Sequence, residues 1–509
     1  MKNLSRTVAV ADTQAHVLRP AAALLELPEK VLQFGTGVLL RGLPDYLIDK
    51  ANRQGVFNGR IVVVKSTDGG DLTAFERQDN LYTVGVRGVE DGHTVEENVI
   101  CASISRVLSA KSQWAEVLEF AASPDLQIVI SNTTEVGIQL TADDIQQEPP
   151  HSFPGKLLAV LYARFQAFDG DVSKGLVIVP TELIPDNGSK LEAILLELAH
   201  RNGLEPEFIE WLETANTCCN SLVDRIVPGK PDAAMQKALS TQLGYEDELL
   251  TMTEVYLLWA IEGDERVKQI LSFHQADKGI FVRPDINLFR ELKLRLLNGT
   301  HTLSCGLAYL SGCETVRGAM ENDCVATFVH NLMLGDLLPG IPYAVDEKVG
   351  QRFGLQVLDR FRNSYIEHRW LAITMQYTMK MQMRNVPTLL HYYKRFNTAP
   401  QYVALGFAAY LLFMRGTRQD GKIWYGTANG TEYPINDDQA GYFAELWSRN
   451  LSASDLTNTV LQNQTLWGHD LSQLPGFAKR VSDNLQQMLD TGVAATVAKH
   501  LNKKATLVK

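Results

Sequence analysis

The segment Lys293-Leu294-Arg295-Leu296-Leu297-Asn298-Gly299-Thr300-His301 brings an amine, an amide and an imidazole close together along the chain. At the ~100° per residue of an α-helix, Lys293 and His301 project ~80° apart and Asn298 a further ~60° beyond His301. All three then leave one side of an otherwise apolar helix, the pattern of a helix that faces a cavity. These residue types suit the oxidation of an alcohol. Loss of hydride from carbon requires loss of the hydroxyl proton, and a lysine whose ammonium form is destabilised by burial or by a neighbouring cation can take that proton near neutral pH. In the reverse direction the same group protonates the new alkoxide. A side-chain amide such as that of Asn298 donates a hydrogen bond to the developing oxyanion without titrating, and His301 can orient a hydroxyl or tune the lysine. Taken singly, the lysine also reads as a solvated surface residue, Asn298-Gly299 as a helix end and the histidine as a structural hydrogen bonder.

A second stretch with chemical content lies near the N-terminus. Val31-Leu32-Gln33-Phe34 runs into Gly35-Thr36-Gly37, after which Val38-Leu39-Leu40 resumes with a helical pattern. Gly35 permits a tight turn, and Gly37, lacking a Cβ, lets the backbone approach a pyrophosphate held at a helix N-terminus. Leu40 stands where GxGxxG has its third glycine, so the run reads equally as a plain strand-to-helix turn. Further on, Ile61-Val62-Val63-Val64 is followed by Lys65-Ser66-Thr67-Asp68. Asp68 could take the adenosine ribose hydroxyls and favour NAD, whereas Lys65 could attract a 2′-phosphate and favour NADP. Both also read as loop charges.

Metal chemistry finds no support. The eleven histidines include no HExxH, and the six cysteines form no CxxC, so neither a zinc site nor a disulfide framework is expected. A formal charge of -11 without any run of Lys or Arg argues against nucleic acid and anionic membranes as partners. A small anionic substrate would then need a local cationic pocket. No stretch approaches the ~18 apolar residues of a spanning helix, and the N-terminal residues lack a signal-peptide core; a cytoplasmic location is expected. Monomer and homodimer both stay open.

These residues must be positioned by more than one domain, since 509 residues suit two or three. The first half alternates short apolar runs, at 31–34, 61–64, 127–130 and 176–179, with helical patterns such as 44–51 and 113–122. That alternation predicts a parallel sheet covered by helices. After residue 284 long helical patterns dominate, among them 288–297, 324–334, 349–362 and 402–414. The expected architecture is an α/β Rossmann-like N-terminal domain over residues 1–285 and a mainly α-helical C-terminal domain over 286–509.

The arrangement KxxxxNxxH at Lys293, Asn298 and His301 resembles the signature of the polyol-specific long-chain dehydrogenases, the mannitol dehydrogenase family. The likeness extends along nearly the whole chain. Gln33 to Gly37 with Leu40-Arg41 resembles the family's cofactor loop, and Leu81-Tyr82-Thr83 is similar to its LYT element. Ser131-Asn132-Thr133-Thr134-Glu135 resembles the SNTTE strand end of members acting on tagaturonate. Glu182-Leu183-Ile184 with Asn187-Gly188, and Leu222-Val223-Asp224-Arg225-Ile226-Val227, are similar to further family segments. Arg360-Phe361-Arg362-Asn363 with Tyr365, Ile366 and His368 resembles another, with Ser364 and Glu367 where proline and lysine are usual.

The resemblance implies roles for particular residues. Lys293 would be the general acid/base, Asn187 and Asn298 an oxyanion-stabilising pair, and His301 a substrate contact near the lysine. By itself Asn187-Gly188 reads as a turn. Gly35, Thr36, Gly37, Val38, Leu39, Asp68, Thr133 and Glu135 would hold NAD. Asp224 and Arg225, by default a structural ion pair, become candidates for substrate binding. A sugar acid also needs cations for its carboxylate. Lys380 and Arg384, four residues apart and so on one helical face, are candidates, with a basic surface face as the alternative. The implied reaction is a reversible, metal-free hydride transfer between NAD(H) and a sugar acid, interconverting D-tagaturonate and D-altronate. Fructuronate or a neutral polyol is the near alternative, and a catalytically silent dinucleotide-binding or sugar-acid-binding protein the distant one.

Overall fold

The computed structural model describes residues 1–10, 16–66, 72–134 and 136–505. The apolar runs of the first half form one sheet of six parallel strands: β1 (Glu29–Phe34), β2 (Arg60–Lys65), β3 (Ile104–Ser109), β4 (Ile128–Ser131), β5 (Val177–Pro180) and β6 (Thr217–Cys218). Their spatial order is β3-β2-β1-β4-β5-β6. This is the order of the dinucleotide-binding sheets, and it reverses between β1 and β4, where ligands bind beyond the carboxyl ends of the strands. β3 and β6 escape the sequence pattern because both are sheet edges. Arg106 of β3 pairs with Glu29 at 3.0 Å, and β6 has only two residues.

The strands are apolar throughout because both faces of the sheet are covered. Successive side chains alternate between faces. Val31, Ile61, Val63, Ile128, Ile130, Val177 and Val179 pack into one core with Leu43, Leu47 and Ile48. Leu32, Phe34, Val62, Val64, Val129 and Ile178 enter the other, closed by the helices Trp114–Ala121, Phe153–Ala167, Asn187–Arg201 and Pro206–Ala215.

The chain divides into two compact units, residues 1–88 with 94–286, and residues 287–509 with the hairpin tip 89–93. The second unit is mainly helical. Its central helix, Gln401–Phe413, is buried on all sides, with Phe407 and Tyr410 packed edge-on to Trp467. Asp336 caps its N-terminus, accepting the Tyr402 and Val403 N–H groups at 2.6 and 3.0 Å. One small antiparallel sheet, Arg418–Asp420, Ile423–Ala428 and Thr431–Ile435, completes the unit.

At the end of β1 the chain needs glycine for two reasons. Gly35 has φ +121°, and a Cβ there would lie 2.9 Å from the Asn132 carbonyl oxygen at the end of β4. Gly37 has φ -66°, and a Cβ there would meet nothing within 4 Å. Gly35→Ala is therefore expected to lower the unfolding free energy by about 1–3 kcal/mol, whereas Gly37→Ala stays within about 0.5 kcal/mol of the parent. Urea denaturation of the two variants checks this, and equal losses would contradict it.

Candidate active site

The helix that carries Lys293 runs through three segments, Asn287–Leu292, a π-helical stretch Lys293–Gly299, and Thr300–Leu310. A π turn closes hydrogen bonds from i to i+5 and so holds more residues than an α turn. The angles of an ideal α-helix therefore do not carry across the stretch that bears the functional side chains. Asn298-Gly299 lies inside this helix, with Gly299 at φ -64°, rather than at its end. A Cβ on Gly299 would lie 2.9 Å from Asn385 Oδ1, so the glycine serves close approach of a second helix.

Lys293, Asn298 and His301 are each half-buried. The Asn298 carbonyl accepts the Thr302 hydroxyl at 2.8 Å, but its side-chain amide makes no hydrogen bond with the described residues. The His301 ring stacks on Phe361, with centroids 4.3 Å apart and planes within 10°, and meets His368 edge-on at 5.2 Å. Its Nε2 is buried without a partner. Burial, reinforced by His368, Arg360 and Arg384, holds this imidazole well below the ordinary histidine range, so it is neutral at pH 7. A neutral ring with an unpartnered nitrogen is built to share a hydrogen bond with a hydroxyl.

The second helix comprises Tyr377–Lys380, another π-helical turn Met381–Asn385, and Val386–Phe396. Arg384 Nη1 donates to Thr302 Oγ1 at 3.0 Å, which sets the guanidinium beside the Lys293 helix. Lys380 Nζ donates to the Ile373 carbonyl at 3.0 Å. Among the described residues no carboxylate pairs with either cation. Burial lowers the pKa of both, and Arg384 lowers that of Lys380 further. Asp437 acts on Lys380 only at longer range, so two partly desolvated positive charges without a paired carboxylate among the described residues are poised to take an anion.

In the first unit, the turn after β1 leads into a helix over residues 38–53, with its N-cap at Gly37. Gly37 is exposed and Thr36, Val38 and Leu39 are half-buried. Free N–H groups, a glycine with open space for a Cβ, and the reversal of strand order fit a dinucleotide's pyrophosphate. Thr133 lies at the same reversal, its N–H and hydroxyl both bound to Glu182 Oε1 at 2.9 and 3.0 Å. Asp68 and Glu135 lie outside the described residues. Lys65 is the half-buried last residue of β2.

Two candidates are engaged by the protein's own backbone. Asn187 is fully buried, and its Nδ2 donates to the carbonyls of Pro180, Glu182 and Ser221 at 3.1, 3.1 and 3.2 Å. Its Oδ1 accepts the N–H groups of Gly188 and Ser221 at 2.9 and 2.8 Å. These bonds tie the side chain to the ends of neighbouring strands. Arg225 bonds the Glu254 and Gly42 carbonyls at 2.9 and 2.6 Å and lies 4.7 Å from the Tyr46 ring centroid. Asp224, its neighbour, is buried in the same unit.

Other contributors were less visible in the sequence. Gln33 Nε2 reaches both the Gly35 carbonyl and the buried Asp45 carboxyl, at 3.4 and 3.3 Å, forming a strut beneath the glycine turn. Burial pushes the Asp45 carboxyl up to about 8. The one signal for this was a glutamine inside an otherwise apolar strand. Glu182, also buried, holds Ser131 and Thr133. Tyr82 of the LYT element donates to the Arg41 carbonyl at 3.2 Å, bracing the helix that follows the turn. Phe361 explains the run beginning at Arg360, since it is the platform for His301.

Residues 29–274 match the Mannitol dehydrogenase Rossmann domain and residues 285–489 the Mannitol dehydrogenase C-terminal domain. The altronate oxidoreductase of Halalkalibacterium halodurans is 38% identical over 487 residues, covering 94% of each chain. That of Bacillus subtilis is 37% identical over 472 residues, covering 92% of this chain and 94% of the relative. Among solved structures, a D-sorbitol dehydrogenase in substrate-free form aligns with a TM-score of 0.73 at 21% identity, covering 97% of this chain and all of that one. Pseudomonas fluorescens mannitol 2-dehydrogenase, in a ternary complex with NAD and D-mannitol, aligns with a TM-score of 0.63 at 23% identity over 99% of this chain and 100% of the other. At such identities the structures establish a shared fold, and with two family domains spanning most of its length the chain belongs to the mannitol dehydrogenase family.

Proposed function

We propose that this NAD-dependent oxidoreductase of a secondary alcohol interconverts D-tagaturonate and D-altronate, with Lys293 as the proton-transfer group and without a metal. Relatives 37–38% identical to it over nine-tenths of its length are altronate oxidoreductases. The observation that carries the reading is local to the helical unit. An amine, an amide and an imidazole stand on one helix beside two cations. Among the described residues the side-chain amide has no hydrogen-bond partner, the buried imidazole Nε2 has no partner and the cations have no paired carboxylate.

NAD, when bound, supplies the hydride acceptor, and residues 35–39 would hold its pyrophosphate. Lys293 Nζ takes the hydroxyl proton as the hydride leaves carbon, and returns it in reduction. The Asn298 amide donates to the same oxygen as it gains charge. His301, neutral on its Phe361 platform, fixes a neighbouring hydroxyl. Lys380 and Arg384 receive the carboxylate, which distinguishes a sugar acid from a neutral sugar. Among the described residues no group of three or more His, Cys, Asp or Glu side chains could hold a metal ion.

Lys293→Ala is expected to keep NADH binding, read by fluorescence titration, while turnover falls about 10²–10⁴-fold; a chelator leaves the parent's rate unchanged. An almost unimpaired variant removes the proposed acid/base, and chelator sensitivity removes the metal-free mechanism. A turnover panel of tagaturonate, fructuronate and fructose tests the substrate. Tagaturonate is expected to give the highest kcat/KM, and Arg384→Gln to raise KM for the sugar acids about tenfold or more while leaving fructose unaffected. Preference for fructose overturns the sugar-acid reading. Because Lys380 titrates below the ordinary lysine range, its grip on a carboxylate is present at neutral pH and is lost as pH rises through its lowered pKa. KM for the sugar acid should therefore climb on the alkaline side, and Lys380→Arg should move that climb to higher pH; a KM profile unmoved by the substitution would count against Lys380 as a ligand.

A further inference from the structure

Arg384 is held at two points by the helix that carries Lys293. We infer that Arg295 and Thr302 are positioning residues that set Arg384, and with it the anionic end of the substrate, in register with the proton-transfer group. This rests on the reading of Arg384 as a carboxylate ligand.

The first hold is on the backbone. Position 387 is proline, so the N–H that an α-helix would aim at the Met383 carbonyl is missing. The turn there is widened, with the Val386 N–H bonded to the Met381 carbonyl. Arg295 Nη1 supplies donors from outside, at 2.8 Å to the Met383 carbonyl and 2.9 Å to that of Arg384. The guanidinium is itself aimed by Glu291, one turn back on its own helix, through Nε to Oε2 at 2.9 Å. At 7% exposure Arg295 is out of a ligand's reach and acts through the backbone it holds.

The second hold is on the side chain. Thr302 Oγ1 donates its only proton to the Asn298 carbonyl at 2.8 Å, so its lone pair is turned to Arg384 Nη1 at 3.0 Å. Thr302 is fully buried. The Arg384 guanidinium, the Thr302 hydroxyl and the Asn298 backbone therefore form one chain of fixed polarity. Its far end is the residue whose free amide faces the reacting oxygen in the proposed mechanism.

A double-mutant cycle separates positioning from general stability. Arg295→Lys keeps a charge for Glu291 but loses the planar fork. It is expected to raise KM for tagaturonate about tenfold with a smaller fall in kcat and unchanged NADH affinity. In the Arg384→Gln background the same substitution should change KM by less than about twofold, because there is no guanidinium left to position. Thr302→Val should behave alike, and takes the place of Arg295→Lys in the cycle if the latter fails to accumulate folded. Equal KM effects in both backgrounds, or a folded Arg295→Lys enzyme with unchanged KM, overturn the inference alone. An Arg384→Gln enzyme with unchanged KM overturns the carboxylate reading and this inference together.

Discussion

Where a helix leaves the α-helical hydrogen-bond pattern, its side chains are redistributed, and two such departures in this protein carry the candidate functional residues. The Lys293–Gly299 stretch and the Met381–Asn385 turn are both π-helical, and they lie on neighbouring helices. A widened turn frees backbone groups that an α-helix would satisfy itself. The structure answers with side chains from the partner helix. Arg295 supplies donors to the carbonyls of Met383 and Arg384, while Gly299 lets the backbones approach. The irregularity and its compensation are therefore one feature, and they put an amine, an amide, an imidazole and two cations in one helical layer.

The electrostatics of that layer are left unbalanced. The buried Arg164 and Arg225 elsewhere in the chain are fully occupied by backbone carbonyls or an aromatic ring. Arg384 and Lys380 each make one side-chain hydrogen bond and, among the described residues, no ion pair with a carboxylate. Burial lowers their pKa values, so the protein pays a desolvation cost that an incoming carboxylate would offset. His301 shows the same incompleteness in neutral form, with a buried nitrogen that no group among the described residues satisfies. A buried polar group left unsatisfied carries a free-energy cost that a ligand's hydrogen bond would relieve.

The glycine turn depends on a different constraint, the close passage of two strand ends. Gly35 adopts a left-handed φ against the Asn132 carbonyl, with Gln33 and Asp45 as struts below. Gly37 lies beside it in open space. Two glycines that look alike in sequence thus differ in task, one required by the protein's own backbone and the other leaving room for a ligand.

The short continuous apolar runs determined the parallel sheet, since strands covered on both faces must be apolar throughout, and the 35–37 turn and the Lys293, Asn298 and His301 set were legible as residue types with a chemistry. Edge strands were not, because half of each is polar or very short. The tertiary structure alone decided which polar residues are free to act. Asn187 and Asn298 are the same residue type, each followed by glycine, yet the first makes five hydrogen bonds to backbone groups and the second has its side-chain amide unbonded among the described residues. Sequence specifies what a side chain can donate or accept, but only the folded neighbourhood determines whether the backbone has already taken it.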